Sequence, residues 1–371
     1  MNTNQNNRLL SIDALRGFDM FWIIDIGWAS LWYGLAQLTD WPLFNWWSEQ
    51  MTHAQWDGFR FYDMIFPLFL FIAGLSFPFS WEKSLQKGIS QKAIYLKIIR
   101  RALILVLLGL IINNDILTFK FEKGFRYTSV LFRIGMAWMF AAFIFMNTKR
   151  NGRMIWCAGL LIFYWLMITF IPAPDYPDAS RFSPEGSFAC YIDRVLKCTR
   201  RLYTSVGISG IIPSISTALL GMMTGAFVKS SKEGLTQMKK VLYMTGGGVA
   251  LILLGLLWDL VFPINKPMWS SSYVCFVGGL SVLLFALFYW IIDVRGYRRW
   301  TLFFTVIGMN SITVYAAQAL IDFESTAKFI FGGLVGLFPE TWALFLEGIT
   351  YLIVCWFFLY FLYRQKIFLK V

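Results

Sequence analysis

The sequence predicts an all-α fold, a polytopic integral membrane helix bundle of about 10–11 transmembrane helices with both termini cytoplasmic. Three observations carry that expectation. Apolar residues make up 58% of the chain and charged residues 15%, where a soluble domain carries about 25% charge. Apolar runs long enough to span a bilayer recur from one end to the other. The basic residues gather in short segments between alternate runs, as in the positive-inside pattern. Aromatics at 19%, with 17 Trp, suit the two interfacial belts, where amphipathic rings sit at headgroup level.

The first run, 14–36, is too long and too Trp-rich for the apolar core of a secretory signal, and it reads as an uncleaved span. The following spans are expected at 60–80, 98–114, 127–147, 154–171, 207–228, 241–262, 272–293, 301–320 and 342–363. The segment 322–341, with two adjacent glycines, reads as a re-entrant or interfacial piece. An inside N-terminus puts 21 of the 33 basic residues inside, with Arg133 within a span. It puts Asp40, Glu49, Asp57, Asp115, Glu122, Asp175, Asp178, Glu185 and Asp193 outside. Residues 1–371 then form a single transmembrane domain with extracytoplasmic loops at 37–59 and 172–206. The net charge of +12 is spread over loops rather than one soluble face, so nucleic acid is not an expected partner. Cys157, Cys275 and Cys355 fall in spans as small apolar residues. Cys190 and Cys198 share the loop 172–206, where a disulfide and two free thiols are both open readings. Gly246–Gly247–Gly248 and Gly278–Gly279 follow no strand, so they suggest close helix packing rather than a phosphate loop.

Chemistry concentrates around the sole histidine, His53. It precedes, by about ten residues, an apolar helix that opens on an acid, Asp63. An imidazole at a water–membrane boundary can take or give a proton near neutrality; a solvent-exposed loop histidine without a role is the plain alternative. Charges inside a span cost roughly 2.5–3.5 kcal/mol, so they face a partner or a cavity. The first span carries Asp13, Arg16, Asp19 and Asp25, the fourth Arg133, and the ninth Asn310 and Ser311. Asp13 and Arg16 share a helix face and can pair. Arg133 either locks the bundle against Asp19 or Asp25, or joins the others along a polar tunnel leading to His53.

These residues also carry a resemblance. Ser11–Ile12–Asp13–Ala14–Leu15–Arg16–Gly17, His53-x-x-Trp56-x-Gly58, Asp63-x-x-Phe66–Pro67 and Gly308–Met309–Asn310–Ser311 are similar to the transmembrane acyltransferases related to lysosomal heparan-α-glucosaminide N-acetyltransferase. So are Val130 to Gly135, Trp269 to Val274 and Asp293 to Gly296, and the likeness covers essentially the whole chain. It implies transfer of an acetyl group from cytosolic acetyl-CoA to the amine of a glucosamine-like acceptor across the membrane. His53 matches the family's active histidine. Two positions depart: Asp25 replaces a first-span asparagine, and Gln318 stands where the lysosomal enzyme has a histidine. No large exterior domain is expected ahead of the first span.

On this reading His53, Asp25, Asp63 and Asn310 are the candidate catalytic residues. Arg16, Arg100, Arg101, Arg133, Arg295 and Ser311 are expected toward acetyl-CoA, with Arg298 beside them, although a positive-inside role explains Arg100, Arg101, Arg295 and Arg298 equally well. Trp56 and Asp57 are expected toward the acceptor, and Asn310, Ser311 and Arg133 as donors to the developing oxyanion. Direct transfer with His53 as base and a covalent acetyl-histidine are both open; no second base is visible near His53, which favours direct transfer. No metal is expected. A bilayer is the expected surrounding, a homodimer is allowed, and the size and lack of organellar signals suggest a bacterial inner membrane. The competing class is an amino-sugar or oligosaccharide permease without acyl chemistry; a pure scaffold does not account for the buried charges.

Overall fold

A computed structural model describes residues 9–39, 41–114, 127–198, 202–231 and 233–369, apart from the side chains of residues 25 and 26. It is an all-α, multi-spanning bundle with no strand among the described residues, only an isolated bridge between Pro172 and Ser187. The helices are α1 Leu10–Trp22, α2 Asp25–Leu38, α3 Pro42–Gln50, α4 Ile65–Gln86 (entered through a 3-10 turn, Phe61–Met64) and α5 Gln91–Asn113. Then come α6 Val130–Asn147, α7 Arg150–Phe170, α8 Phe188–Val195, α9 Ile211–Lys229, α10 Gln237–Asp259 and α11 Ser271–Tyr289. The series ends with α12 Thr301–Met309, α13 Ser311–Leu320, α14 Phe323–Val335 and α15 Ala343–Arg364.

Among the described residues, 7 helices are long and apolar enough to cross a membrane, or up to 8 if the bent pair α12–α13 is one span. Three expected spans differ from that picture. The run 14–36 is two helices, because at Ile24 (ψ 64°) the backbone leaves the helical path. There the Trp28 indole donates to the Phe21 carbonyl at 2.9 Å, the acceptor that the amide of residue 25 would use in a continuous helix. The run 301–320 bends by 67° at Asn310, whose side-chain amide donates to the Val306 carbonyl at 3.3 Å and replaces the backbone bond in the same way. The run 98–114 lies in α5, which has the length but carries Lys92, Lys97, Arg100 and Arg101 in its first half. Residues 322–341 hold the short helix α14, capped by Asp322, which accepts from the Ser325 amide at 2.9 Å.

Close helix crossings frame the centre. A Cβ at Gly221 would lie 2.0 Å from the Phe71 carbonyl oxygen, so α4 and α9 touch backbone to backbone. A Cβ at Gly308 would lie 2.2 Å from the Asp13 carbonyl, which sets α12 equally tight on α1. These contacts hold the start of α4 and the α12–α13 bend on either side of one internal space. All five cysteines are free and buried, so Cys190 and Cys198 are two thiols. The Cys198 sulfur lies 3.3 Å from the Tyr127 hydroxyl.

Candidate active site

The segment after α3 folds back over the entrance to α4. Gly58, at φ +103°, turns the chain where a side chain would be strained, and its amide donates to the Ile264 carbonyl at 2.9 Å. Asp57 accepts from the Asn265 side chain at 3.1 Å, clipping the His53 segment to the loop between α10 and α11. Asp57 thus anchors this strap and is not the acid beside His53. That acid is Asp63. Its fully buried carboxylate collects the backbone amides of Ala54 (3.2 Å) and Arg60 (3.0 Å) on one oxygen. Its other oxygen lies 2.9 Å from His53 Nδ1 and 3.1 Å from Lys266 Nζ.

Lys266 is the residue that the sequence reading did not single out. Its side chain is 8% exposed, and its ammonium lies 2.9 Å from His53 Nδ1 and 3.3 Å from Nε2. It stands 213 positions away in the chain, so no local pattern links the two. The available signal was a lone lysine, followed by proline, directly ahead of the Trp269 to Val274 stretch. The turn is fixed by Asn265, whose side chain accepts from the Met268 amide at 2.7 Å, and by Trp269 in the left-handed region at φ +58°. Tyr273 donates to the Asp63 carbonyl at 2.6 Å, and the Tyr62 ring packs 4.9 Å from the imidazole. Paired with the buried Asp63 carboxylate, Lys266 joins the histidine as a cation and not as a second base.

The cluster can move a proton. With Nδ1–H donated to Asp63, the Nε2 lone pair faces the Lys266 ammonium at 3.3 Å, so a substrate proton would take the place of that contact, and the Lys266 and Asp63 charges offset one another. The His53 side chain is 54% exposed although Asp63 is sealed off, so the imidazole bridges buried carboxylate and open space.

That space is a cavity of about 420 Å³ lined by His53, Lys266, Tyr62, Gln318 and Ser311, with apolar walls from α4, α6 and α13. A second cavity of about 290 Å³ holds Arg16, Arg101 and Ser76. Phe69, Ile134, Ser311 and Ile312 line both, so the two meet at the α12–α13 bend. Arg16 donates to Ser76 Oγ at 2.7 Å and pairs with Asp13 at 3.5 Å, and the Arg101 guanidinium stacks 4.4 Å above Trp138.

The other expected site residues lie elsewhere. Arg133 is fully buried but lines neither cavity. It donates to the Gly207 carbonyl at 2.7 Å and stacks on Trp269 at 5.1 Å, so it forms no ion pair with Asp19 among the described residues. Asn310 is buried at the bend, just behind Ser311. Arg100, Arg295 and Arg298 are exposed and line neither cavity. Trp56 donates to the Phe182 carbonyl at 2.6 Å and meets Tyr203 edge to face at 4.8 Å, joining the His53 strap to the loop 172–206. Asp25 opens α2, and its side chain lies outside the described residues.

A family model described as heparan-alpha-glucosaminide N-acetyltransferase, catalytic, matches residues 8–255. The chain belongs to this family. Two curated relatives are the heparan-alpha-glucosaminide N-acetyltransferases of Mus musculus and Homo sapiens. The mouse protein is 27% identical over 435 residues, an alignment that takes in 98% of this chain and 61% of the relative. The human protein is 28% identical over 432 residues, covering 98% and 60%. The chain thus spans about three fifths of the length of these relatives. The family match takes in the His53–Asp63 dyad and both arginines of the second cavity, while Lys266 and Ser311 lie beyond it.

Proposed function

We propose that this chain is a membrane-embedded acetyltransferase that moves an acetyl group from acetyl-CoA to the amine of an amino sugar resembling glucosamine. Acetyl-CoA enters from the cytoplasmic side by the Arg16–Arg101 cavity, and the acceptor meets it from the opposite side at His53. The observation that carries this reading is the meeting of two cavities, one bearing paired arginines and the other a histidine held by a buried acid. Arginines suit the phosphates of a coenzyme, and the largely apolar lining that the two cavities share, with Phe69, Ile134 and Ile312, suits a thioester arm. As the amine nitrogen attacks the thioester carbonyl, His53 Nε2 accepts its proton and returns one to the departing thiolate. The Lys266 ammonium, lining the same cavity, offers positive charge to the developing oxyanion. The family membership supports the reaction class, and its relatives' printed name supports the glucosaminide acceptor.

The test is transfer of radiolabelled acetyl from acetyl-CoA to glucosamine by the purified chain in detergent, beside His53→Ala. Wild type is expected to transfer, and the folded variant to lose about a hundredfold or more, as for removal of a general base. Equal transfer by both would take His53 out of the chemistry. Sugar uptake driven by a proton gradient into proteoliposomes, without acetyl transfer, would replace the enzyme with a permease.

A further inference from the structure

A third cavity, of about 730 Å³, is separate from the two that meet at Ser311 and lies between α7, α9 and α10. Its walls are apolar stripes at helical spacing: Met223 and Phe227 on α9, and Met244, Gly247 and Leu251 on α10. A stripe from residue 244 to 251 runs about 10 Å along the helix axis. Gly247 has nothing within 4 Å of the position a Cβ would take, so this wall faces open space. The mouth carries Arg150 and Arg153 and lies where α7 begins, α9 ends and α10 begins. The ends of membrane-spanning helices sit near the lipid headgroups. Arg153 is held beside the mouth by two hydrogen bonds to the Phe145 carbonyl, at 3.1 Å and 2.8 Å, and by stacking 3.4 Å over the Phe145 ring. No acidic residue lines the cavity among the described residues.

We propose that this groove is a binding site for one anionic glycerophospholipid, its phosphate on Arg150 and Arg153 and an acyl chain along the Met244–Leu251 stripe. Charge complementarity selects the headgroup, since a positive pair over an apolar trough matches a molecule negative at one end and aliphatic along the rest. The depth of the trough requires a chain, which a free phosphate lacks.

The purified full chain would be titrated in detergent with dioleoyl phosphatidylglycerol and dioleoyl phosphatidylcholine, with binding read by native mass spectrometry. Wild type is expected to hold one phosphatidylglycerol in preference to phosphatidylcholine. The Arg150→Gln/Arg153→Gln double variant should bind phosphatidylglycerol about thirtyfold more weakly, the attraction of two basic residues at a membrane surface, and phosphatidylcholine as before. Gly247→Leu, whose Cβ would meet nothing within 4 Å, fills the trough and should weaken both lipids while thermal unfolding stays within a few degrees. Equal affinity of wild type for the two lipids, or no effect of the double variant, would overturn the proposal. Displacement of the lipid by glycerol phosphate at equal concentration would make it a phosphate site, and displacement by acetyl-CoA a coenzyme site; either also overturns it.

Discussion

At the scale of single residues, the two charges beside His53 make a prediction that separates chemistry from stability. Asp63 and Lys266 form a buried pair, 0% and 8% exposed. Removing one partner of such a pair leaves an unmatched buried charge, at a cost of about 3–5 kcal/mol. Asp63→Asn should therefore lower both the unfolding midpoint and acetyl transfer. Adding Lys266→Met removes the stranded ammonium, so the double variant should recover much of the lost stability and none of the lost transfer. Recovery of transfer along with stability would show that Asp63 only balances Lys266 and does not orient the imidazole. His53 and Asp63 were legible in the sequence, because a sole histidine ahead of an acid-led apolar helix is an unusual local pattern. Lys266 was not, because the fold, not the chain, brings it there.

Single elements carry their own electrostatics, and α8 shows two opposite cases outside the membrane-spanning segments. Asp175 receives two hydrogen bonds of 2.8 Å from Arg194, which hold its carboxyl below the usual range. That pair is partly exposed, so its stabilising share is small. Asp193, on α8 itself, is buried against Ser209, and burial pushes its carboxyl up despite the pull of the Arg133 charge. A carboxyl whose folded pKa is raised binds more protons folded than unfolded, so its contribution is fully present below about pH 4 and is lost as pH rises through the folded value. The unfolding midpoint of wild type should accordingly fall relative to Asp193→Asn as pH rises above about 4. A difference that stays flat or rises would mean that Arg133 outweighs burial and holds Asp193 ionised. Helix identity was readable for most of the apolar runs, since their length and composition leave little choice. The breaks at Ile24 and Asn310 were not, because hydropathy averages across a residue whose side-chain hydrogen bond redirects the backbone.

For the molecule as a whole, the decisive feature is that two cavities share part of their lining, and Ser311 is its small polar member. The sequence suggested a polar tunnel and named basic residues by position, yet only Arg16 and Arg101 of that set reach the second cavity; long-range packing of α1, α4 and α5 decides this. If the thioester passes Ser311 to reach His53, the space there matters more than the hydroxyl. Ser311→Ala should keep transfer within about threefold, whereas Ser311→Leu should reduce it about a hundredfold by holding the carbonyl short of the attacking amine. Retained binding of desacetyl CoA by Ser311→Leu, measured by calorimetry, would locate the block at the passage and leave the arginine cavity intact. Equal damage from both substitutions would instead assign the hydroxyl a hydrogen bond to the reacting carbonyl, and damage from neither would mean that the acetyl group reaches His53 by another path. Because α12 lies against α1 through Gly308 and Gly17, filling the shared lining at Ser311 also tests whether one rigid contact sets the distance between coenzyme and base.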